Sequence, residues 1–304
     1  MNPAPERKNP AASVRARLLN LARQRKEEFQ LVLSEFAIER LLYRIGVSAQ
    51  AERFVLKGAM LFKLWPGEPH RATWDLDLLG RGASGVADVL AVVREFCAIE
   101  CFDGIVFDPA SVAGEEIRSA DEYAGVRVRL YAWLDQARIP VQVDVGFGDA
   151  VVPPPLRERY PTLLGHPPPT ILVYPREAVV AEKLEAMVSL GVMNSRMKDF
   201  YDVQALASRF AFAGPALTQA VRATFLRRKT PFPAGEPLAL TREFLGAPER
   251  QTQWRAFLRR GRLDATPDAG QLADSLRRFL GPVLAAAARG EVLRASWPPG
   301  GPWR

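Results

Sequence analysis

Asp75 and Asp77 lie two apart in ATWDLDLL, and Asp144 lies in IPVQVDVGFGD. Both runs alternate polar and apolar residues, which predicts strands whose residues i and i+2 share a face. Thr73, Asp75 and Asp77 then line one face, with Trp74, Leu76 and Leu78 on the other to pack on a core. In the second run Ile139, Val141, Val143, Val145 and Phe147 share a face, and Gln142 and Asp144 the opposite one. Neighbouring carboxylates repel, and burying them unpaired costs on the order of several kcal/mol. Something positive belongs against them. An all-carboxylate set suits a hard divalent cation, Mg²⁺ or Mn²⁺, which prefers oxygen donors. Two such ions about 4 Å apart would hold the attacking and leaving oxygens of an in-line displacement. That is phosphoryl or nucleotidyl transfer. The structural alternative is strand carboxylates paired with Arg127 or Arg129.

Gly58 precedes an expected short helix, where a glycine lets backbone N–H groups approach a phosphate, and Lys57 beside it is a candidate phosphate contact. A plain turn is the alternative. Lys183 falls in an apolar stripe of an expected helix 176–190, near Val179, Val180 and Met187. A lysine there needs an anion or must snorkel to solvent. Arg196, Asp199, Val203, Leu206 and Phe210 fall at three and four spacing on the next helix, which turns Asp199 inward, with Asp202 one step round. A local ion-pair network between the two helices is the alternative.

Elements must position these residues. Residues 1–10 carry three prolines and read as disordered. Helices are expected over 13–45, followed by a short strand Phe54–Leu56, a short helix Ala59–Leu64, a loop WPGEPHR and the 73–80 strand. A helix over 86–99 and strands over 126–133 and 139–149 come next. Two proline clusters, Pro153–Pro155 and Pro167–Pro169, bound a linker-like stretch. Helices are expected at 176–190, 195–210, 215–228, 250–260 and 271–288, then an irregular tail. Strands first and helices later predict an α+β fold with a helical C-terminal part. The expected organisation is a basic arm (1–26), a domain carrying the carboxylates (27–170) and a helical domain (171–304).

Composition narrows the function. The chain has 304 residues, 48% of them hydrophobic and 25% charged, as in ordinary globular proteins. Cys97 and Cys101, four apart in an apolar stretch and so on one face of any helix, read as buried free thiols. With only His70 and His166 as histidines, they cannot build a disulfide scaffold or a zinc site. No signal peptide and no apolar run long enough for a bilayer is present, so a cytoplasmic location and no membrane partner are expected. The net charge of +7 is uneven: residues 220–304 carry 15 Arg and Lys against 7 Asp and Glu. Such asymmetry suits a polyanionic partner, most often nucleic acid, and a solvated Arg-rich surface is the alternative. The candidate contacts are Arg222, Arg227, Arg228, Lys229, Arg259, Arg260, Arg277 and Arg278.

In this order the motifs resemble the AbiEii/AbiGii toxins, nucleotidyltransferases of the DNA polymerase β-like superfamily. FVLKGAMLFKL resembles the family's K-G-G-[ST] opening, and HRATWDLDLLG its R-x-[ST]-x-D-[LI]-D-[FL] strand. VQVDVGFGD resembles the strand of the third acid, AEKLEAM and RMKDFYDV its K-x-x-A and R-x-K-D-[FL]-x-D helices, and WRAFLRR with SLRRFLGPVL its C-terminal ending. The resemblance implies a polymerase β-like domain with a mixed sheet. It makes Asp75, Asp77 and Asp144 the metal-binding acids, with Thr73 on the same strand. It also makes Asp144 the candidate general base, Lys183 a contact to nucleotide phosphates, with Lys57, Gly58, Thr73 and Arg196 as further nucleotide contacts, and Asp199 the residue that completes the site. Ala59 and Met60 depart from the pattern, so the hydroxyl that commonly helps hold a phosphate is absent.

The implied function is the toxin of a type IV-like bacterial toxin–antitoxin system. With Mg²⁺ or Mn²⁺ it would add nucleotides from an NTP to an RNA, the 3′ end of tRNA foremost, and so stop translation. Its partners would be RNA, a nucleoside triphosphate and a cognate antitoxin. Two other readings stay open: a small-molecule nucleotidyltransferase of the aminoglycoside-modifying kind, and a non-catalytic RNA- or partner-binding protein on the same fold.

Overall fold

The alternation along 124–134 and 137–147 becomes the longest strand pair in the computed structural model of the protein, which describes residues 10–65, 73–118, 124–263 and 268–304. The N-terminal disorder and the WPGEPHR loop from Pro66 on, with His70, lie outside the described residues. The chain divides into two compact units: 1–148 with 157–173, and 149–156 with 174–304.

The first unit contains α1 (Pro10–Arg25), α2 (Phe29–Val47), β1 (Phe54–Lys57), β2 (Asp75–Gly80), α3 (Val86–Ala98), β3 (Ile105–Phe107), β4 (Ala113–Arg118), β5 (Ala124–Leu134), β6 (Ala137–Phe147), β7 (Leu156–Arg159, its first residue counted with the second unit) and β8 (Thr170–Val173). One mixed sheet has the order β3-β5-β6-β2-β1-β8-β7, with β4 paired to β5. β2 runs parallel to β6 and antiparallel to β1. Val126, Val128, Leu130, Ala132, Ile139, Val141, Val143 and Val145 fill the buried face, on which α1, α2 and α3 pack. Leu76 and Leu78 join this core, whereas Trp74, expected with them, is 49% exposed because it precedes the first ladder pair of β2. The presumed linker also contains structure, since β7 lies between the proline clusters and pairs with β8. α3 ends at Ala98, so Cys97 is buried on it and Cys101 lies beyond it, half-buried.

A buried ion cluster fixes α2 to the segment after α3. The Arg40 and Arg44 guanidinium groups both donate to the Asp103 carboxylate, at 2.8 Å each, and Arg44 also donates to the carbonyls of Ile99 and Ile105. Burial opposes the Asp103 charge, but the Arg44 and Arg40 hydrogen bonds outweigh it and hold the carboxyl below its usual range.

The second unit contains α4 (Arg176–Leu190), α5 (Met197–Arg209), β9 (Phe212–Ala213), α6 (Gly214–Arg227), α7 (Arg242–Gly246), α8 (Pro248–Gly261), α9 (Ala269–Ala288) and β10 (Ser296–Trp297). α4, α6 and α9 pack around Leu184, Met187, Leu217, Val221, Phe225, Leu276, Phe279 and Val283. The tail expected to be irregular is tied down. β10 pairs with β9, and the indole N–H groups of Trp297 and Trp303 donate to the carbonyls of Ala207 and Phe279, at 2.7 and 2.9 Å.

Asp103→Ala leaves two buried guanidinium groups without their shared counter-charge. Urea unfolding should show a loss of about 3–5 kcal/mol. A midpoint and slope equal to those of the parent would show that the cluster does not hold the unit together.

Candidate active site

Four charged residues sit in one row across the open face of the sheet. Lys57 on β1 faces Asp77 on β2, Asp77 faces Asp144 on β6, and Asp144 faces Arg127 on β5. Residues paired in register share a face, so the row alternates cation, two anions, cation. Asp75 lies two residues before Asp77 on that face. One carboxylate oxygen from each of Asp75, Asp77 and Asp144 lies within 4.8 Å of the others, and all three residues are half-buried.

Neighbours orient each acid. The Thr73 hydroxyl donates to Asp75 Oδ1. Arg127 grips Asp144 with both prongs of its fork, Nε to Oδ1 at 2.9 Å and Nη2 to Oδ2 at 2.7 Å. Gln142 donates to the same Oδ2 at 3.4 Å. The hydrogen bond to Asp144 also raises the Arg127 pKa above its usual value. The pairing considered as the structural alternative is thus present for Asp144, through Arg127; Arg129 pairs instead with Glu115 at 2.8 Å. It does not exclude a metal, because a carboxylate offers about four lone-pair sites, of which Arg127 occupies two and Gln142 a third, leaving one on Oδ1. Oxygen-only donors at this separation fit Mg²⁺ or Mn²⁺.

Gly58 has φ +76°, and a Cβ there would lie 2.1 Å from Asp77 Oδ2. Only glycine lets the backbone pass so close to that carboxylate. The helix it opens, Gly58–Lys63, is a six-residue 3₁₀ turn rather than an α-helix. Lys57 Nζ lies 3.7 Å from where a Cβ on Gly146 would stand, so the ammonium reaches across β2 to β6 on the carboxylate face.

In the second unit the Lys183 ammonium meets Asp199 Oδ1 at 2.8 Å and Asp202 Oδ2 at 2.7 Å, and Arg196 Nε lies 2.7 Å from Asp199 Oδ2. This is the network between the two helices named above, and it answers why a lysine occupies an apolar stripe. Burial would lower the Lys183 pKa, but Asp199 and Asp202 outweigh it and raise it above the usual lysine value. Burial would raise that of Asp199, but Lys183 and Arg196 outweigh it and lower it.

Arg228, expected at a nucleic-acid surface, is turned inward. Its guanidinium meets Glu185 at 2.7 Å, Asp149 at 3.0 Å and Glu182 at 3.6 Å. It is therefore removed from the phosphate contacts. Arg222, Arg227, Lys229, Arg259, Arg260, Arg277 and Arg278 are exposed.

The family model of the AbiEii nucleotidyl transferase toxin of type IV toxin–antitoxin systems matches residues 40–280, which include the three acids and the Lys183 cluster. The chain belongs to the AbiEii family. This AbiEii protein is thus a nucleotidyltransferase-family toxin, and its acidic triad could hold a metal. JHP933 from Helicobacter pylori has a similar crystal structure, with a TM-score of 0.48 at 14% identity over 86% of this chain and 94% of that one. A second H. pylori protein, provisionally described as a nucleotidyltransferase, gives a TM-score of 0.44 at 14% identity, over 86% and 96%. Neither likeness bears on the assignment, which rests on the family match. No curated protein matches the sequence. Among the described residues no helix is long and apolar enough to cross a membrane.

Lys183→Ala leaves two buried carboxylates facing each other. At neutral pH, urea unfolding followed by circular dichroism should show a loss of about 3–5 kcal/mol. The parent's stabilisation from Asp199, whose pKa is lowered, is complete above its unfolded value of about 3.9 and is lost as pH falls through the folded value. That from Lys183, whose pKa is raised, is complete below about 10.4 and is lost as pH rises through the folded value. The deficit of the variant should therefore shrink at both extremes. A deficit independent of pH would show that the pair is not the cause.

Proposed function

We propose that this AbiEii-family protein transfers a nucleoside monophosphate from a nucleoside triphosphate to the 3′-terminal hydroxyl of an RNA, with tRNA as the acceptor. Translation would stop until a cognate antitoxin intervened. The observation that carries this reading is the convergence of Asp75, Asp77 and Asp144 within 4.8 Å on one sheet face. Those three residues would hold Mg²⁺ or Mn²⁺, which when bound offsets the charge of the triphosphate and of the displaced pyrophosphate.

The protein's own groups do the rest. Thr73 fixes the Asp75 carboxylate, and Arg127 fixes that of Asp144. Asp144 Oδ2 accepts from both Arg127 and Gln142, whereas Oδ1 accepts from Arg127 Nε. The one open position of Asp144, on Oδ1, is therefore assigned to the proton of the attacking hydroxyl, with Asp75 and Asp77 as the principal holders of the ion. Gly58 admits the triphosphate close to the backbone, and Lys57 supplies a cation beside it. Lys183 has three donors, and Asp199 and Asp202 take two. The third is assigned to a nucleotide phosphate, with Asp199 holding the ammonium in place and Arg196 as a further contact. The exposed arginines of the second unit, with Lys229, contact RNA phosphates, which supply affinity without sequence preference.

Incubation of the protein with labelled nucleoside triphosphates and total tRNA should label the tRNA. Prior periodate oxidation of the terminal ribose should block labelling. Asp75→Ala and Asp77→Ala should abolish it while thermal stability holds or rises, because carboxylate repulsion is relieved. Labelling that survives periodate, or persists in either variant, contradicts this reading.

A further inference from the structure

The face that carries the triad continues along β5 and β6 away from the acids. Arg127, Arg129, Tyr131 and Trp133 alternate along β5 with the buried Val128, Leu130 and Ala132. They face Asp144, Gln142, Pro140 and Arg138 on β6. Val106 on β3 pairs with Trp133 on the outer side. The apolar members of this row are not covered: Trp133 is 41% exposed and Val106 65%. The Arg138 guanidinium lies over the Tyr131 ring, 3.6 Å from its centroid. Arg129 is 57% exposed and forms a surface ion pair with Glu115. Such a pair is weak and can exchange Glu115 for a phosphate.

We infer that this face seats the single-stranded 3′ end of the RNA acceptor, with bases stacked on Trp133 and on the Arg138–Tyr131 pair. The inference rests on the RNA reading above and adds the path by which the terminal hydroxyl reaches the triad. Two observations favour nucleic acid over a protein partner. Two arginines, Arg127 and Arg129, are followed by two aromatic rings with Arg138 beside them, and beyond Asp144 the charged side chains of β5 and β6 on this face are Arg127, Arg129 and Arg138. The row also runs without a break into the carboxylates through the Arg127–Asp144 pair. Stacking on aromatic rings or guanidinium planes is tolerant of sequence, because every base has a π-face. From Arg127 to Trp133 is six residues along a strand, about 20 Å. A sheet of RNA-recognition type stacks about two or three bases on its aromatic residues.

Trp133→Ala and Trp133→Phe test the inference with a short single-stranded oligoadenylate as probe. Binding to the parent should quench tryptophan fluorescence, and Trp133→Phe should keep most of the affinity while losing that quenching. Trp133→Ala should weaken binding about tenfold. It should raise the KM for tRNA in the labelling reaction by a similar factor, with the affinity for nucleoside triphosphate unchanged. Thermal unfolding of both variants separates this from a folding defect, and equal loss of RNA affinity in a destabilised Trp133→Phe would count against stacking. A Trp133→Ala protein that binds oligoadenylate and labels tRNA like the parent overturns the platform and leaves the face to a protein partner. A parent that neither binds nor labels RNA overturns the acceptor reading itself.

Discussion

The structure depends on holding three carboxylates together against their own repulsion. Asp77 and Asp144 occupy paired positions on adjacent parallel strands, and Asp75 sits two residues along. With ligand oxygens no more than 4.8 Å apart, each pair repels by at least about 3.5 kcal/mol at an effective dielectric constant near 20. Among the described residues two cations stand beside this charge. Arg127 takes one carboxylate on one side, and Lys57 lies on the other side of the row, opposite Asp77. Among the described residues the row sets three acids against two bases, an electrostatic setting that suits a divalent cation.

The rest of the first unit keeps that row in register. A one-residue slip of β2 against β6 would turn the acids into the core and Leu76 and Leu78 outward. The burial of Leu76 and Leu78 prevents it, since the helices packed on the sheet accept only its apolar side. Gly58 supplies the other constraint, because any side chain there would occupy the position of the Asp77 carboxylate. The second unit solves a different problem with the same chemistry. Its buried acids, Asp199, Asp202 and Glu185, meet Lys183 or Arg228 at hydrogen-bonding distance.

Alternation made the strands that carry Asp75, Asp77 and Asp144 readable from sequence, and helical spacing did the same for α4, α5 and the inward turn of Asp199. What escaped was short, lacked clear alternation, as AGEEIR of β4 does, or was held by distant partners. β3, β7 and β8 are three or four residues long and carry too few alternations to register. β9 and β10 are two residues each and exist because each pairs with the other. Arg228 looked like its neighbour Arg227, and nothing local distinguished them; the acids that claim it come from residues 149, 182 and 185. The aromatic face was present in VRVRLYAW as plain alternation, but whether Tyr131 and Trp133 faced core or solvent depended on the register with β6.

The open face of β2 and β6 is proposed to bind a divalent cation. Electron paramagnetic resonance of aqueous Mn²⁺ tests it without reference to any acceptor. Titrating the protein should remove the free-ion signal saturably, with one or two ions bound and displaced by excess Mg²⁺, and Asp77→Asn should abolish that uptake while remaining folded. A parent that leaves the Mn²⁺ signal unchanged even with nucleoside triphosphate present, or an Asp77→Asn protein that binds Mn²⁺ as the parent does, would contradict the account.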